Sequence, residues 1–147
     1  MRDPGLIAAN GGRIPAHNFD QADVVVSLGA DFLGTWLAPV EFARAWSMKR
    51  KINEKAVAMS KHYQFESFLS LTGSNADERF THRPSETGAV ALALLVAMGG
   101  GGSAPQLPAP LAQAITKVAA DLKAHNGRAL VVCGSNDPNV QTVVREI

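Results

Sequence analysis

The stretch Ala22-Asp23-Val24-Val25-Val26-Ser27-Leu28, closed by Gly29, constrains the fold more than any other part of the chain. It is a β-branched run without polar alternation. A strand of that kind is covered on both faces, as in a parallel sheet. Parallel neighbours need long crossovers, usually helical. The chain supplies helical patterns where such crossovers are required.

Pro39–Met48 reads as a helix, with Pro39 at a first helical position and Val40, Ala43, Ala45 and Trp46 on an apolar side. Lys49–Lys55 is a charged connection, Ala56–Phe65 a second strand, and Glu78–Arg83 a short third strand with Phe80 turned inward. Ser85–Met98 is an apolar helix for which Ser85 is the candidate cap and Glu86 the first-turn acid. Gly99–Pro110 (GGGGSAPQLPAP) reads as a linker, flexible and then stiffer. Its opening is consistent with an engineered spacer or a natural loop. Leu111–His125 carries Ala114, Ile115, Val118, Ala119 and Leu122 on one helical side and ends at Asn126-Gly127. Arg128–Cys133 is the last strand. Asp137 caps a final helix that starts at Pro138. The order β-α-β-loop-β-α-α-β-α predicts an α/β, Rossmann-like three-layer sandwich with a mainly parallel sheet.

The expected organisation is a first α/β segment over 1–98, a linker over 99–110, and a helix-strand-helix over 111–147 that continues the same domain. The terminal pattern Val140–Ile147 is helical without a stop signal, so the chain is expected to be a piece of a longer protein. Its 147 residues are enough for a core without staples. Hydrophobic residues make up 46 % and charged residues 18 %, which places it among globular chains. With 14 basic and 13 acidic residues and a net charge of +1, it has no basic stripe to attract nucleic acid. The longest apolar run, Ala89–Met98, is too short for a bilayer, and Met1–Asn10 lacks a secretory core. Cys133 is the single cysteine. It forms no internal disulfide, cannot hold an iron–sulfur cluster alone, and reads as a small buried hydrophobe. His17, His62, His82 and His125 lack metal-ligand spacing.

Three loops combine Gly, Ser, Asn and Asp: Gly29-Ala30-Asp31, Gly73-Ser74-Asn75-Ala76-Asp77 and Gly134-Ser135-Asn136-Asp137. Two readings stand side by side. One is a nucleotide- or pyrophosphate-binding rim at the carboxyl ends of the strands. The other is the turn and cap chemistry that any α/β fold needs. Gly29-x-x-x-x-Gly34 lacks a phosphate-loop lysine, no G-x-G-x-x-G follows the first strand, and no G-x-S-x-G is present. Glu41 with Glu66, or Asp77 with Glu78, are candidate carboxylate pairs, more ordinary as salt-bridging or capping groups. Trp36 and Trp46 suit core or interface packing.

Specific segments carry a resemblance. They are Ala22–Thr35 (ADVVVSLGADFLGT), Phe65-Glu66-Ser67, Ser70–Arg79 (SLTGSNADER), Arg83-Pro84-Ser85-Glu86 and Gly134–Gln141 (GSNDPNVQ). From about Asn18 to Ile147 the chain resembles the large, molybdopterin-oxidoreductase-like iron–sulfur subunit of alternative complex III, a bacterial quinol:electron-acceptor oxidoreductase. Behind it lies a wider resemblance to catalytic molybdopterin oxidoreductases. Gly29-Ala30-Asp31-Phe32 stands where those carry G-x-N-P, and Glu66-Ser67-Phe68 where they carry D-P-R. Thr72–Asp77 matches a T-A-x-x-A-D segment, and Pro84–Thr87 a P-G-[ST]-D segment.

The resemblance implies that Gly29, Asp31, Glu66, Thr72 and Asp77 descend from a site for the guanosine end of a molybdopterin cofactor. Phe68 replaces an arginine able to grip a phosphate or base. Asp31 places a carboxylate where it would repel phosphate, while Glu66 could still accept from a ribose. The implied fragment is a non-catalytic structural and interaction part that holds no cofactor, with molybdopterin absent and iron–sulfur clusters elsewhere in the parent; the alternative is a molybdopterin guanine dinucleotide-binding fragment of an active molybdopterin oxidoreductase. Implied partners are the remainder of the parent chain and the other complex subunits, with no direct membrane span. The implied location of the parent is the periplasmic side of a membrane.

Overall fold

The computed structural model describes residues 3–52 and 57–147. A short helix α1 (Pro4–Ala9) precedes strand β1 (Val24–Leu28) and helix α2 (Pro39–Met48). Strand β2 (Lys61–Glu66), a single-turn helix α3 (Leu71–Ser74) and strand β3 (Glu78–Thr81) follow. A 3-10 turn (Pro84–Glu86) leads into α4 (Thr87–Met98), then α5 (Ala109–Ala124), β4 (Ala129–Cys133) and α6 (Pro138–Arg145). The strands form one sheet in the order β3-β2-β1-β4, and every pairing is parallel. Val26 lies opposite Tyr63 on one side and Val131 on the other.

All five residues of β1 are buried, as its unbroken apolar sequence requires. One face of the sheet (Val24, Val26, Leu28, Tyr63, Phe65) is covered by α4, α5 and α6 through Val90, Leu94, Ile115, Val118 and Val144. The other face, with Val25 and Val132, is covered by Leu6 of α1, Phe42 and Trp46 of α2, and the segment carrying Phe19, Phe32 and Trp36. Helices therefore lie on both faces, giving the three-layer α/β sandwich expected of the pattern. The second layer is largely aromatic, with Phe19 and Phe32 ring centroids 4.4 Å apart and Phe19 and Phe42 5.0 Å apart. Trp36 and Trp46 both belong to this layer.

Several boundaries differ from the sequence reading. The second strand starts at Lys61 rather than Ala56; residues 57–60 are not strand, and positions 53–56 lie outside the described residues. Ser60 N–H donates to Lys49 O at 3.0 Å, so this connection closes on the end of α2 before pairing begins. The third strand stops at Thr81, because Pro84 opens the 3-10 turn. Ser85 does not cap α4. It sits inside that turn, and the Glu86 carboxylate accepts from Arg83 N–H at 2.7 Å instead. Asp137 does cap α6, accepting from Asn139 N–H at 2.8 Å. α1 and α3 have no counterpart in the sequence reading. The Gly99–Pro110 stretch is without regular structure as far as Pro108, and α5 begins at Ala109.

α4 is apolar around most of its circumference because it lies between the sheet, α5 and α6. Leu94, fully buried there, is its largest core side chain. Leu94→Ala is expected to lower unfolding stability by about 2–5 kcal/mol, through lost transfer energy plus the cavity left behind. Urea denaturation of the variant checks this; a loss under about 1 kcal/mol would mean that the layers collapse onto the gap.

Candidate functional site at the carboxyl rim

In an open parallel sheet the ligand crevice opens at the strand carboxyl ends where the strand order reverses. Here β1 connects to β2 on one side, while the chain returns to place β4 on the other, so the reversal falls between β1 and β4. Gly29 ends β1 with a left-handed φ of 70°, which only glycine adopts without strain. Its N–H donates to Phe65 O at 2.7 Å. Ser27 Oγ both accepts from Ala30 N–H at 3.1 Å and donates to Ala30 O at 2.9 Å, locking the turn. Gly134, at the end of β4, lies against this turn: a Cβ built on it would come 2.4 Å from Gly29 O. The two switch-point loops are thus in direct backbone contact.

Asp31 turns its carboxylate toward α3 rather than toward the crevice. Oδ1 accepts from Thr72 N–H at 3.0 Å and from Thr72 Oγ1 at 2.8 Å, and Oδ2 accepts from Thr35 Oγ1 at 3.2 Å. Leu33 N–H donates back to Thr72 Oγ1 at 2.9 Å. These bonds tie the β1–α2 loop to the β2–β3 connection.

Glu66, the last residue of β2, is buried, and four donors take its two oxygens. Ser70 Oγ (2.6 Å) and Gln64 Nε2 (3.1 Å) meet Oε2, while Ser70 N–H (3.3 Å) and Arg79 Nε meet Oε1. Burial pushes the carboxyl pKa up, but these bonds, led by Arg79, outweigh it and hold the group below the ordinary range. Ser70 in turn caps α3 by accepting from Gly73 N–H at 2.9 Å. A Cβ on Gly73 would lie 1.9 Å from Glu66 Oε1, so the tight approach of α3 to the carboxylate requires glycine there.

The structure brings Gly29, Asp31, Glu66 and Thr72 to this rim and leaves Asp77 out of it. Asp77 sits at the opposite, amino-terminal end of the strands, because the Gly73–Asp77 segment must descend to start β3 opposite Tyr63. There its carboxylate takes both Arg50 guanidinium nitrogens at 2.8 Å each and His62 N–H at 2.7 Å. The Arg50 bonds, outweighing burial, hold its pKa below the usual value. Of the two candidate carboxylate pairs, Glu66 binds Arg79, and Asp77 and Glu78 pair with different cations, Arg50 and Lys117.

A polar row on β2 was missed by the sequence reading. His62, Gln64 and Glu66 share one face of the strand at spacing two, and all are buried. The Glu66 carboxylate only accepts, so Gln64 must present its amide N–H to it and its oxygen to His62. His62 Nε2 then donates to Gln64 Oε1 at 3.4 Å. The imidazole lies between the Phe32 and Trp46 rings, at 5.2 and 5.9 Å. Burial drives its pKa down to about 4, although the Gln64 bond opposes that shift. The alternation Lys61-His62-Tyr63-Gln64-Phe65-Glu66 was the available signal.

No protein-family model and no curated protein matches the chain. Among the described residues no group of three or more His, Cys, Asp and Glu could hold a metal ion, and no helix is long and apolar enough to cross a membrane.

His62 is neutral when folded down to about pH 4 but titrates near 6.5 when unfolded. Between those values the unfolded chain binds the extra proton, so stability is full above pH 6.5 and falls as the pH drops toward 4. Burial lowers the His17 and His82 pKa values too, with the same sign. Urea unfolding at pH 7 and pH 5 should differ by about 2 kcal/mol from His62 alone, and His62→Gln should remove that part. An unchanged pH slope in the variant would contradict the buried neutral imidazole. Separately, Glu66→Ala leaves the buried Gln64 and Ser70 donors without their acceptor and is expected to cost about 1–3 kcal/mol in the same assay.

Proposed function

We propose that this chain is a non-catalytic structural and interaction part of a molybdopterin-oxidoreductase-like iron–sulfur subunit. The parent would belong to a membrane-bound quinol:electron-acceptor oxidoreductase similar to alternative complex III, on the periplasmic side. The reading starts from the sequence resemblance. One observation on the rim carries it further: the polar groups that would grip a dinucleotide are spent on the chain itself. Glu66 has its oxygens filled by Ser70, Gln64 and Arg79, and Asp31 is bound by Thr72 and Thr35. Gly134 rests on Gly29 where the crevice would open.

A pterin guanine dinucleotide fits such a rim poorly. It carries anionic phosphates, and the nearest rim groups include the Asp31 and Glu66 carboxylates. Phe68, in the place of the arginine of the catalytic relatives, is 72 % exposed, followed by Leu69 at 65 % and Leu71 at 55 %. Three large apolar side chains on one well-anchored loop suit contact with another protein surface better than a charged cofactor. The remainder of the parent subunit and its neighbouring subunits are the partners this reading supplies. The iron–sulfur clusters of such a parent belong to those other parts, and no step is assigned to the present residues.

Thermal-shift measurements with GTP, GDP and pterin compounds test the proposal. A ligand of the folded state at about 100 times its dissociation constant adds about 2.7 kcal/mol of stability. The expected result is no shift with any of them. A clear shift with a guanine nucleotide or pterin, or density for one at the strand carboxyl ends, would overturn the reading.

A further inference from the structure

Asn-Gly occurs twice in the sequence, at Asn10-Gly11 and at Asn126-Gly127. The pair is chemically special because the glycine has no side chain to shield its backbone nitrogen. That nitrogen attacks the asparagine Cγ from within the chain, where its effective concentration is high. Asn18, Asn75, Asn136 and Asn139 precede Phe, Ala, Asp and Val, whose side chains stand in the way. The fold treats the two Asn-Gly pairs differently.

Asn10 is half-buried and held at the end of α1. Its Nδ2 donates to Leu6 O at 2.9 Å, which commits the amide to the helix four residues back rather than to Gly11 N. Its own N–H donates to Ile7 O at 3.2 Å, and Gly12 N–H donates to the same oxygen at 2.9 Å, so bonds close over both sides of the pair. Asn126 is exposed, in the connection between α5 and β4. Among the described residues its side chain has no hydrogen-bond partner, and neither has Gly127 N–H. One bond closes this turn, from Arg128 N–H to His125 O at 2.8 Å. Gly127 has a φ of 78° and open space where a Cβ would stand. The amide and the nitrogen that attacks it are therefore both at liberty. Rotation about the Asn126 Cα–C and Cα–Cβ bonds brings them together.

We propose that Asn126 is a self-modifying site, converting in the folded chain to aspartate and isoaspartate while Asn10 is spared. Gly127 N bonds to Asn126 Cγ, the Cγ–Nδ2 bond breaks, and ammonia leaves with the proton that Gly127 N gives up. Water then opens the five-membered imide. Opening at the side-chain carbonyl gives aspartate. Opening at the main-chain carbonyl gives isoaspartate, with one methylene more in the backbone. Either product adds a carboxylate at the carboxyl end of α5, whose terminal carbonyls carry the same sign. It stands two residues from Arg128, which already pairs with Asp23 at 2.7 Å. Isoaspartate also lengthens the turn just ahead of β4, where Asp23 N–H donates to Arg128 O at 2.7 Å. The proposal does not depend on the function assigned above, because Asn126 lies at the amino-terminal end of β4, away from the rim.

The test follows both sites in the intact folded chain, held at mildly alkaline pH and sampled over weeks. Tryptic peptides 124–128 and 3–13 contain one asparagine each, so mass spectrometry reads the two conversions separately. Enzymatic methylation specific for isoaspartyl carboxyls marks the isoaspartate. In the folded chain Asn126 should convert at least about tenfold faster than Asn10. In concentrated urea, where both amides are free, the two rates should converge. Gly127→Ala should slow conversion of Asn126 at least about tenfold, because its methyl group shields the attacking nitrogen. Where that variant loses its native circular dichroism, Asn126→Gln, whose imide ring would have six members, takes its place and should be equally slow. Equal rates at the two sites in the folded chain overturn the proposal. So does conversion of Asn126 in urea alone, which would mean that the turn locks it. A preference for Asn126 that persists unchanged in urea would trace to neighbouring sequence rather than to the fold and equally overturn it, as would conversion indifferent to both substitutions.

Discussion

The burial of β1 on both faces is the constraint on which the rest of the structure depends. A strand made of Val24, Val25, Val26, Ser27 and Leu28 has no face to offer water, so material must cover it above and below. The chain does this asymmetrically. One layer is aliphatic and helical, built from α4, α5 and α6, and the other is an aromatic cluster held largely by loops and α2. The single hydroxyl in the strand, Ser27, is satisfied by its own turn through Ala30. That bond also shapes the end of the strand, so the same burial that sets the layers fixes the first loop of the rim.

Legibility followed from how local the determining interaction was. β1, α2, α5, β4 and α6 were readable because apolar periodicity, a proline at the first turn or an Asp cap is encoded within a few residues. The errors lie where distant residues decide. β2 begins at Lys61 because Ser60 and Arg50 fasten the preceding connection to the end of α2. α3 is a single turn held by Glu66 and Asp31 from other elements, with no helical period to detect. α1 is held by α6 and by Leu6 joining the aromatic cluster, contacts that no local pattern encodes. Gly29, Asp31, Glu66 and Thr72 could be grouped from sequence as strand-end residues. Asp77 could not be excluded from the group, because only the descent of its segment to the far end of β3 separates it from them.

The polar row on β2 shows how a charged residue is tolerated in such a core. Glu66 has Arg79 as its counter-ion on the neighbouring strand, and its remaining acceptor sites are filled by Ser70 and Gln64. The carboxylate orients the Gln64 amide, and Gln64 orients His62, whose other surroundings are aromatic. Direction therefore runs from the charged rim into the neutral interior, and desolvation keeps the far end uncharged. On the other face Tyr63 does the reverse. Its hydroxyl, pushed up to about 12 by burial and by Asp121, reaches outward to the carboxylate of α5.

A rim that binds an anionic dinucleotide needs donors left free and a gap for the ligand to enter. Here the donors of the β2–α3 turn, Ser70 N–H and Ser70 Oγ, face inward onto Glu66, while Thr72 N–H faces inward onto Asp31. Those same bonds hold Phe68, Leu69 and Leu71 outward. With Ser70 and Thr72 committed to internal carboxylates, the outside of the turn is formed by Phe68, Leu69 and Leu71 together with the polar Ser67, Ser74 and Asn75. Loosening the carboxylate bonds to free donors for a ligand would also release the turn that carries Phe68, Leu69 and Leu71.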